Sequence, residues 1–102
     1  MKKEYSDNTL TIQMEENLVS SVSSKTLETW KEWLGECGET PDIVIDIEKS
    51  EIIDSEGINL IIGLYRECTS NGKNFQVINP SADNLRLFGI LKLSRIFGLQ
   101  AV

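Results

Sequence analysis

A chain of 102 residues is the length of one ordinary domain and too short for two cores of useful size, so residues 1–102 are expected to fold as a single domain. Its apolar fraction of 40% against 25% charged residues is the balance of a soluble globular protein, while a net charge of −6 with no basic cluster beyond Lys2-Lys3 argues against a direct nucleic-acid surface. The complete lack of histidine removes Ser-His and Cys-His nucleophile pairs, histidine-bound zinc and an imidazole general base.

Lys2, Lys3 and Glu4 lead into a polar stretch rather than a secretory apolar core, and no run approaches the ~20 apolar residues of a membrane span. Cys37 and Cys68 form no CxxC pair. Reduced thiols, a cytoplasmic location and no membrane insertion are the resulting expectation.

In chain order, Thr9 to Met14 alternates polar and apolar residues, the pattern of a half-buried strand. Glu15-Glu16-Asn17 reads as a turn before a short apolar Leu18-Val19. Ser20, Ser21, Ser23 and Ser24 are N-cap candidates for a helix from about Lys25 to Glu36, in which Leu27, Trp30 and Leu34 recur at helical spacing. Asp42 to Ile47 has four β-branched residues in six and is apolar on both parities from Ile43 to Ile45, which predicts a central strand covered on both faces. The apolar pair Ile52-Ile53 leads into Asp54-Ser55-Glu56-Gly57, and a helix follows from Ile58 to about Ser70, ended by Asn71-Gly72. Phe75 to Ile78 reads as a strand. Ser81 caps a last helix through roughly Leu91, with Leu85, Phe88 and Leu91 on one face, and Ile96-Phe97 could add a final short strand. The order β-β-α-β-α-β-α implies an α/β domain: a mixed sheet of four to five strands with helices packed on it.

Ser55 stands where an apolar strand end meets an apolar helix start. One reading is structural, with the serine satisfying the helix's unpaired N–H groups. A second arises from the helix behind it. At ~100° per residue, Ile58, Leu60, Ile61, Ile62, Leu64, Tyr65 and Cys68 fill an arc of about 200°, wider than one covered face requires. Leu60 and Leu64 fall at its rim, either partly exposed as a docking edge or buried by a neighbouring helix.

The run IVIDIEKSEIIDSEGINL, from Ile43 to Leu60, resembles the core motif of STAS domains: an apolar strand, a spacer, an apolar pair, then Asp-Ser-x-Gly at a helix start. The resemblance extends from Thr9 to Phe97 and includes Asn79-Pro80-Ser81 before an apolar helix. It implies a bacterial anti-sigma factor antagonist, a regulator of sigma-factor-dependent transcription and not an enzyme. Such a protein, unphosphorylated, binds an anti-sigma factor that is also a serine kinase, and it is inactivated by phosphate on the serine after the motif aspartate, here Ser55. A phosphatase would reset the switch. The docking face implied comprises Asp54, Ser55, Glu56, Gly57, Asn59, Leu60 and Leu64, with Asp54 helping to position the hydroxyl. Two departures from the family pattern stand close to this serine: Leu18-Val19-Ser20-Ser21 lacks the aspartate frequent after the second strand, and Glu56 replaces a small or hydroxyl residue. An alternative within the family is a constitutive subunit that stabilises a larger transport or stress-sensing assembly.

No cofactor, metal or catalytic residue is expected. Asp42, Asp46 and Glu48 recur at even spacing, for which a solvated strand edge is a simpler account than a cation site. Trp30 belongs to the core stripe, Trp33 caps it or lies exposed, Cys68 is a buried small hydrophobe, and Cys37 sits in an exposed turn. A hydrolase using Ser55 with Asp54 lacks a general base of suitable pKa, since an exposed aspartate titrates near ~4.

Overall fold

Asp7 and Asn8 both take positive φ, 50° and 66°, in a computed structural model of the protein that describes residues 1–19 and 23–99. Two such residues in succession make a tight hairpin turn, and Asp and Asn tolerate that region better than other side chains. The turn folds β1 (Lys2–Ser6) antiparallel onto β2 (Thr9–Gln13), with Ser6 opposite Thr9. The sequence reading did not foresee β1. Lys2-Lys3-Glu4-Tyr5-Ser6 has no apolar alternation, and all five residues are exposed.

Beyond β2 the pairing is parallel, to β3 (Asp42–Asp46) and then β4 (Asn74–Ile78), so the strand order is β1-β2-β3-β4. The helices are α1 (Ser23–Glu36), α2 (Ser55–Ser70) and α3 (Ala82–Ile90). This is the expected α/β architecture with a mixed sheet. The N-cap candidates Ser20 and Ser21 lie outside the described residues, and α1 begins at Ser23, two residues ahead of expectation.

Register puts Leu10 beside Ile43, and Ile12 beside Ile45 and Val77, so these five side chains share one face, and all are buried. The helices cover that face, with Trp30, Leu34, Ile61, Leu64 and Phe88 completing the core. The opposite face is open, which corrects the expectation of a strand covered on both sides. Val44, half-buried, is flanked there by Thr11 and Gln76, so one apolar side chain stands in a polar field that gains nothing from a second helical layer. Asp42 and Asp46 also lie on this side. Asp42 Oδ1 accepts from Asn74 Nδ2 at 2.9 Å, and Asp46 Oδ1 accepts from Glu48 N at 3.0 Å and Asn79 Nδ2 at 3.3 Å.

Ile96-Phe97 is not a strand. Hydrogen bonds from Phe97 N to Leu93 O, Gly98 N to Arg95 O and Leu99 N to Ser94 O wind the chain into successive turns, and Gly98 takes φ +64°. Phe97 is nevertheless buried, its ring 5.1 Å from Phe88 and 6.2 Å from Phe75, and its carbonyl accepts from Val77 N at 2.7 Å on the outer edge of β4. Leu91, expected on the apolar face of α3, is exposed just beyond the helix. Trp30 is fully buried, while Trp33 is half-buried beneath Lys3, whose ammonium lies 5.2 Å from the ring centroid and 2.6 Å from Glu36. The turn residue Lys73 is buried, and its ammonium donates to Gly38 O and Thr40 O at 2.6 and 2.7 Å, tying the loop after α1 to the start of β4. Among the described residues no helix is long and apolar enough to cross a membrane.

Candidate functional site

The segment before α2 is fixed by bonds from three directions. Leu18 and Ile53 form an isolated parallel bridge, with Leu18 N donating to Ile52 O and Asp54 N to Leu18 O, both at 3.1 Å. Ser50, fully buried, donates its hydroxyl to Glu16 O at 2.6 Å, and Asn17 Oδ1 accepts from Ile52 N at 3.1 Å. From the far side Asn84, also buried, donates through Nδ2 to Ser50 O at 3.1 Å and Glu51 O at 3.2 Å. Asn84 stands one turn into α3, where Ser81 caps as expected by accepting from Asn84 N at 3.2 Å. A connecting loop this well bonded is a rigid mount.

Asp54 ends the mount and starts the helix. Its backbone is extended (φ −90°, ψ −176°), and Oδ1 accepts from Gly57 N at 2.9 Å, the reach of an N-cap to the third helical residue. The cap is therefore Asp54 and not Ser55, so the structural reading of that serine does not hold. Ser55 is the first helical residue, and it is exposed. The four motif residues divide into distinct positions: Asp54 half-buried as cap, Ser55 and Glu56 exposed in the first turn, Gly57 buried.

Gly57, expected on the docking face, is buried instead, and it is there for want of space. A β-carbon on it would lie 2.0 Å from Leu18 O, 2.8 Å from Leu18 C and 3.0 Å from Ile53 Cγ2. Only a glycine lets the first turn of α2 approach the Leu18 backbone so closely.

Of the expected docking residues, Leu60 and Leu64 are corrected. They are 6% and 0% exposed, both in the core, and offer no docking edge. The physical reason is α1. It packs along the side of α2 that carries Gly63, where a β-carbon would meet the Leu27 side chain at 3.5 Å, and Lys31 reaches Glu67 at 3.6 Å. The leucines lie between that side and the sheet-facing side, so two layers account for the 200° arc up to its far edge at Ile62. What α2 leaves outward is a stripe through Ser55, Asn59 and Arg66, all exposed, with Ile62 half-buried beside it.

Sequence reading missed Ile52. It is 60% exposed, three residues before Ser55, while Ile53 is buried. The signal was in the pair itself, because adjacent residues of an extended segment point to opposite sides.

Elsewhere, Cys68 is buried as expected, and burial pushes its thiol up to about 12. Cys37 is half-buried rather than exposed, its Sγ bonded to Leu34 O at 3.2 Å. Among the described residues no group of three or more His, Cys, Asp or Glu is placed to hold a metal ion.

The fold is shared with known proteins. The family model described as the STAS domain matches residues 1–102. No curated protein sequence matches the chain. Among solved structures, TM1081 of Thermotoga maritima, a candidate anti-sigma factor antagonist, is similar with a TM-score of 0.80 at 19% identity, over 98% of this chain and 79% of that one. The anti-sigma factor antagonist SpoIIAA in its unphosphorylated form is similar with a TM-score of 0.75 at 18% identity, over 98% of each chain. At such identities the likeness to these structures is one of fold.

Proposed function

The chain belongs to the STAS domain family, and from that membership we propose that it is an anti-sigma factor antagonist whose switch is the hydroxyl of Ser55. In this reading the unphosphorylated protein binds an anti-sigma factor with serine kinase activity and so releases a sigma factor. Phosphate on Ser55 ends the binding. The observation that carries it is the separation of roles at the start of α2: Asp54 caps the helix, and Ser55 stands exposed in the next position.

The charge arithmetic supports a switch that spares the fold. A phosphoserine carries about −1.5 to −2 charge, and in the first turn of a helix the dipole and unpaired N–H groups favour it. A kinase must hold nucleotide phosphate opposite the acceptor hydroxyl. After transfer the product complex sets phosphoserine, with Glu56 beside it, against the nucleotide's remaining phosphates. A loss of about 2–4 kcal/mol there weakens binding roughly 30- to 1,000-fold.

The test is to mix the purified chain with Mg-ATP and, in turn, each anti-sigma factor kinase of the source organism. One phosphate is expected on Ser55 by mass spectrometry, none on Ser55→Ala, and a complex only with the unmodified chain. Normal single-site phosphorylation of Ser55→Ala sinks the assignment. Stoichiometric co-purification with a larger assembly and no phosphate in cells would favour the constitutive-subunit reading instead.

A further inference from the structure

Ile90 is 70% exposed and Leu91 47%, two large apolar side chains side by side at the end of α3. Their backbone is fixed. Leu91 N donates to Leu87 O at 3.0 Å, Lys92 N to Gly89 O at 3.1 Å and Leu93 N to Phe88 O at 2.8 Å, with Lys92 at φ +60° closing the helix. The pair is a rigid, protruding tip.

Helix geometry decides which charges share it. At ~100° per residue, Arg86 and Ile90 lie one turn apart on the side of α3 turned away from the buried Asn84 and Phe88, and both are exposed. Lys92, also exposed, follows Leu91 directly. The turn beyond comes back along the helix, since a β-carbon on Gly89 would meet Ser94 Oγ at 3.9 Å, and exposed Arg95 is the next residue. From residue 84 to 99 the sequence holds these cations and no carboxylate, although the net charge of the chain is −6. Asp83 shares the side of Ile90 but stands at the opposite end of the helix, about 10 Å along its axis. The tip is aliphatic with a cationic rim, in an otherwise acidic protein.

Those two properties select the occupant. A second copy about a twofold axis would set the cations against one another. A protein partner would need a matching notch, and such contacts centre on aromatic and arginine side chains rather than leucine. An anionic bilayer demands no matching shape, accepts isoleucine and leucine in its hydrocarbon, and meets lysine and arginine at its headgroups. In a molecule 33 × 30 × 22 Å, carboxylates on the far side lie well beyond the ~8 Å over which salt screens them.

We infer that this tip is a contact with the surface of an anionic membrane, with Ile90 and Leu91 entering the acyl boundary and Arg86, Lys92 and Arg95 among the headgroup phosphates. The contact is peripheral, since among the described residues no helix is long and apolar enough to cross. It does not depend on the reading of Ser55.

Its test is co-sedimentation of the full chain with vesicles at low salt, one set of phosphatidylcholine alone and one of phosphatidylcholine and phosphatidylserine in equal parts. Binding is expected to the second set only, and it should fall away as salt is raised. Combined Ile90→Ser and Leu91→Ser should weaken it about 10-fold or more, and Arg86→Gln or Lys92→Asn about 5-fold each, with melting temperatures within ~3 °C. Equal binding to both sets overturns the inference, and so does binding that the serine substitutions leave unchanged. No binding to the phosphatidylserine vesicles also overturns it and leaves an acidic protein surface as the occupant. If the lipid-free chain self-associates and Ile90→Ser is monomeric, the tip belongs to a second copy and the inference is wrong.

Discussion

Gly57 is the position where a single methyl group has the largest foreseeable effect. A β-carbon 2.0 Å from a backbone carbonyl oxygen cannot be relieved by a rotamer change, because the obstacle is main chain. Gly57→Ala must push α2 away from Leu18, opening the Leu18–Ile53 bridge. We expect a loss of about 2–4 kcal/mol, read as a lower urea midpoint. Cys68 makes a different prediction. Its folded thiol titrates at about 12 against an ordinary 9.0, so the neutral form is favoured by folding. The associated stability is complete below pH ~9 and is lost as pH rises from there through the folded value, since the unfolded thiol releases its proton first. Denaturation midpoints should fall across that window, less so in Cys68→Ala. At pH 8 a disulfide-exchange reagent should label Cys37 in the native protein and reach Cys68 only on unfolding.

At the scale of elements, the start of α2 depends on two side chains in different roles. Asp54→Ala removes the cap and should cost about 1 kcal/mol. Asn84→Ala leaves the carbonyls of Ser50 and Glu51 without that donor inside the fold, for about 1–3 kcal/mol. Hydrogen exchange separates them: faster exchange should appear in the first turn of α2 for Asp54→Ala and at residues 50–54 for Asn84→Ala. The elements most legible in the sequence were those with a pattern of their own. The periodic helices, the β-branched run of β3 and the Ser81 cap are where the residues place them. β1 was illegible because a strand made of charged residues is held by its partner and by the Asp7-Asn8 turn, not by burial. The same cause hid the packing of Leu60 and Leu64. A helical wheel gives the width of an apolar arc, but not how many neighbours cover it.

For the whole molecule, the site consists of rigid loops at the ends of β2 and β3, braced by α3. A charge added at Ser55 therefore acts outward. On the proposed reading, Ser55→Asp should melt within ~3 °C of the unsubstituted protein while binding an anti-sigma factor more weakly. The motif Asp-Ser-x-Gly was expected at a helix start and lies at one, with Asp54 as the cap and α2 beginning at Ser55, three residues ahead of the expected Ile58. What the sequence did not disclose was Asn84, thirty-odd residues away, as the brace for Ser50 and Glu51.

A sheet of this kind has two ends at which a foreign strand could add, and the chain closes each differently. On β4 the amide of Val77 is already taken by the carbonyl of Phe97. On β1 the guard is Lys3, which shares the inner face with Ile12 yet carries its charge to Glu36 across the Trp33 ring. A newcomer extending the sheet there would have to lay its inward side chains against a cation, which discourages fibre-like growth without blocking folding. Lys3→Val should leave the monomer folded and make concentrated solutions scatter light on gentle warming.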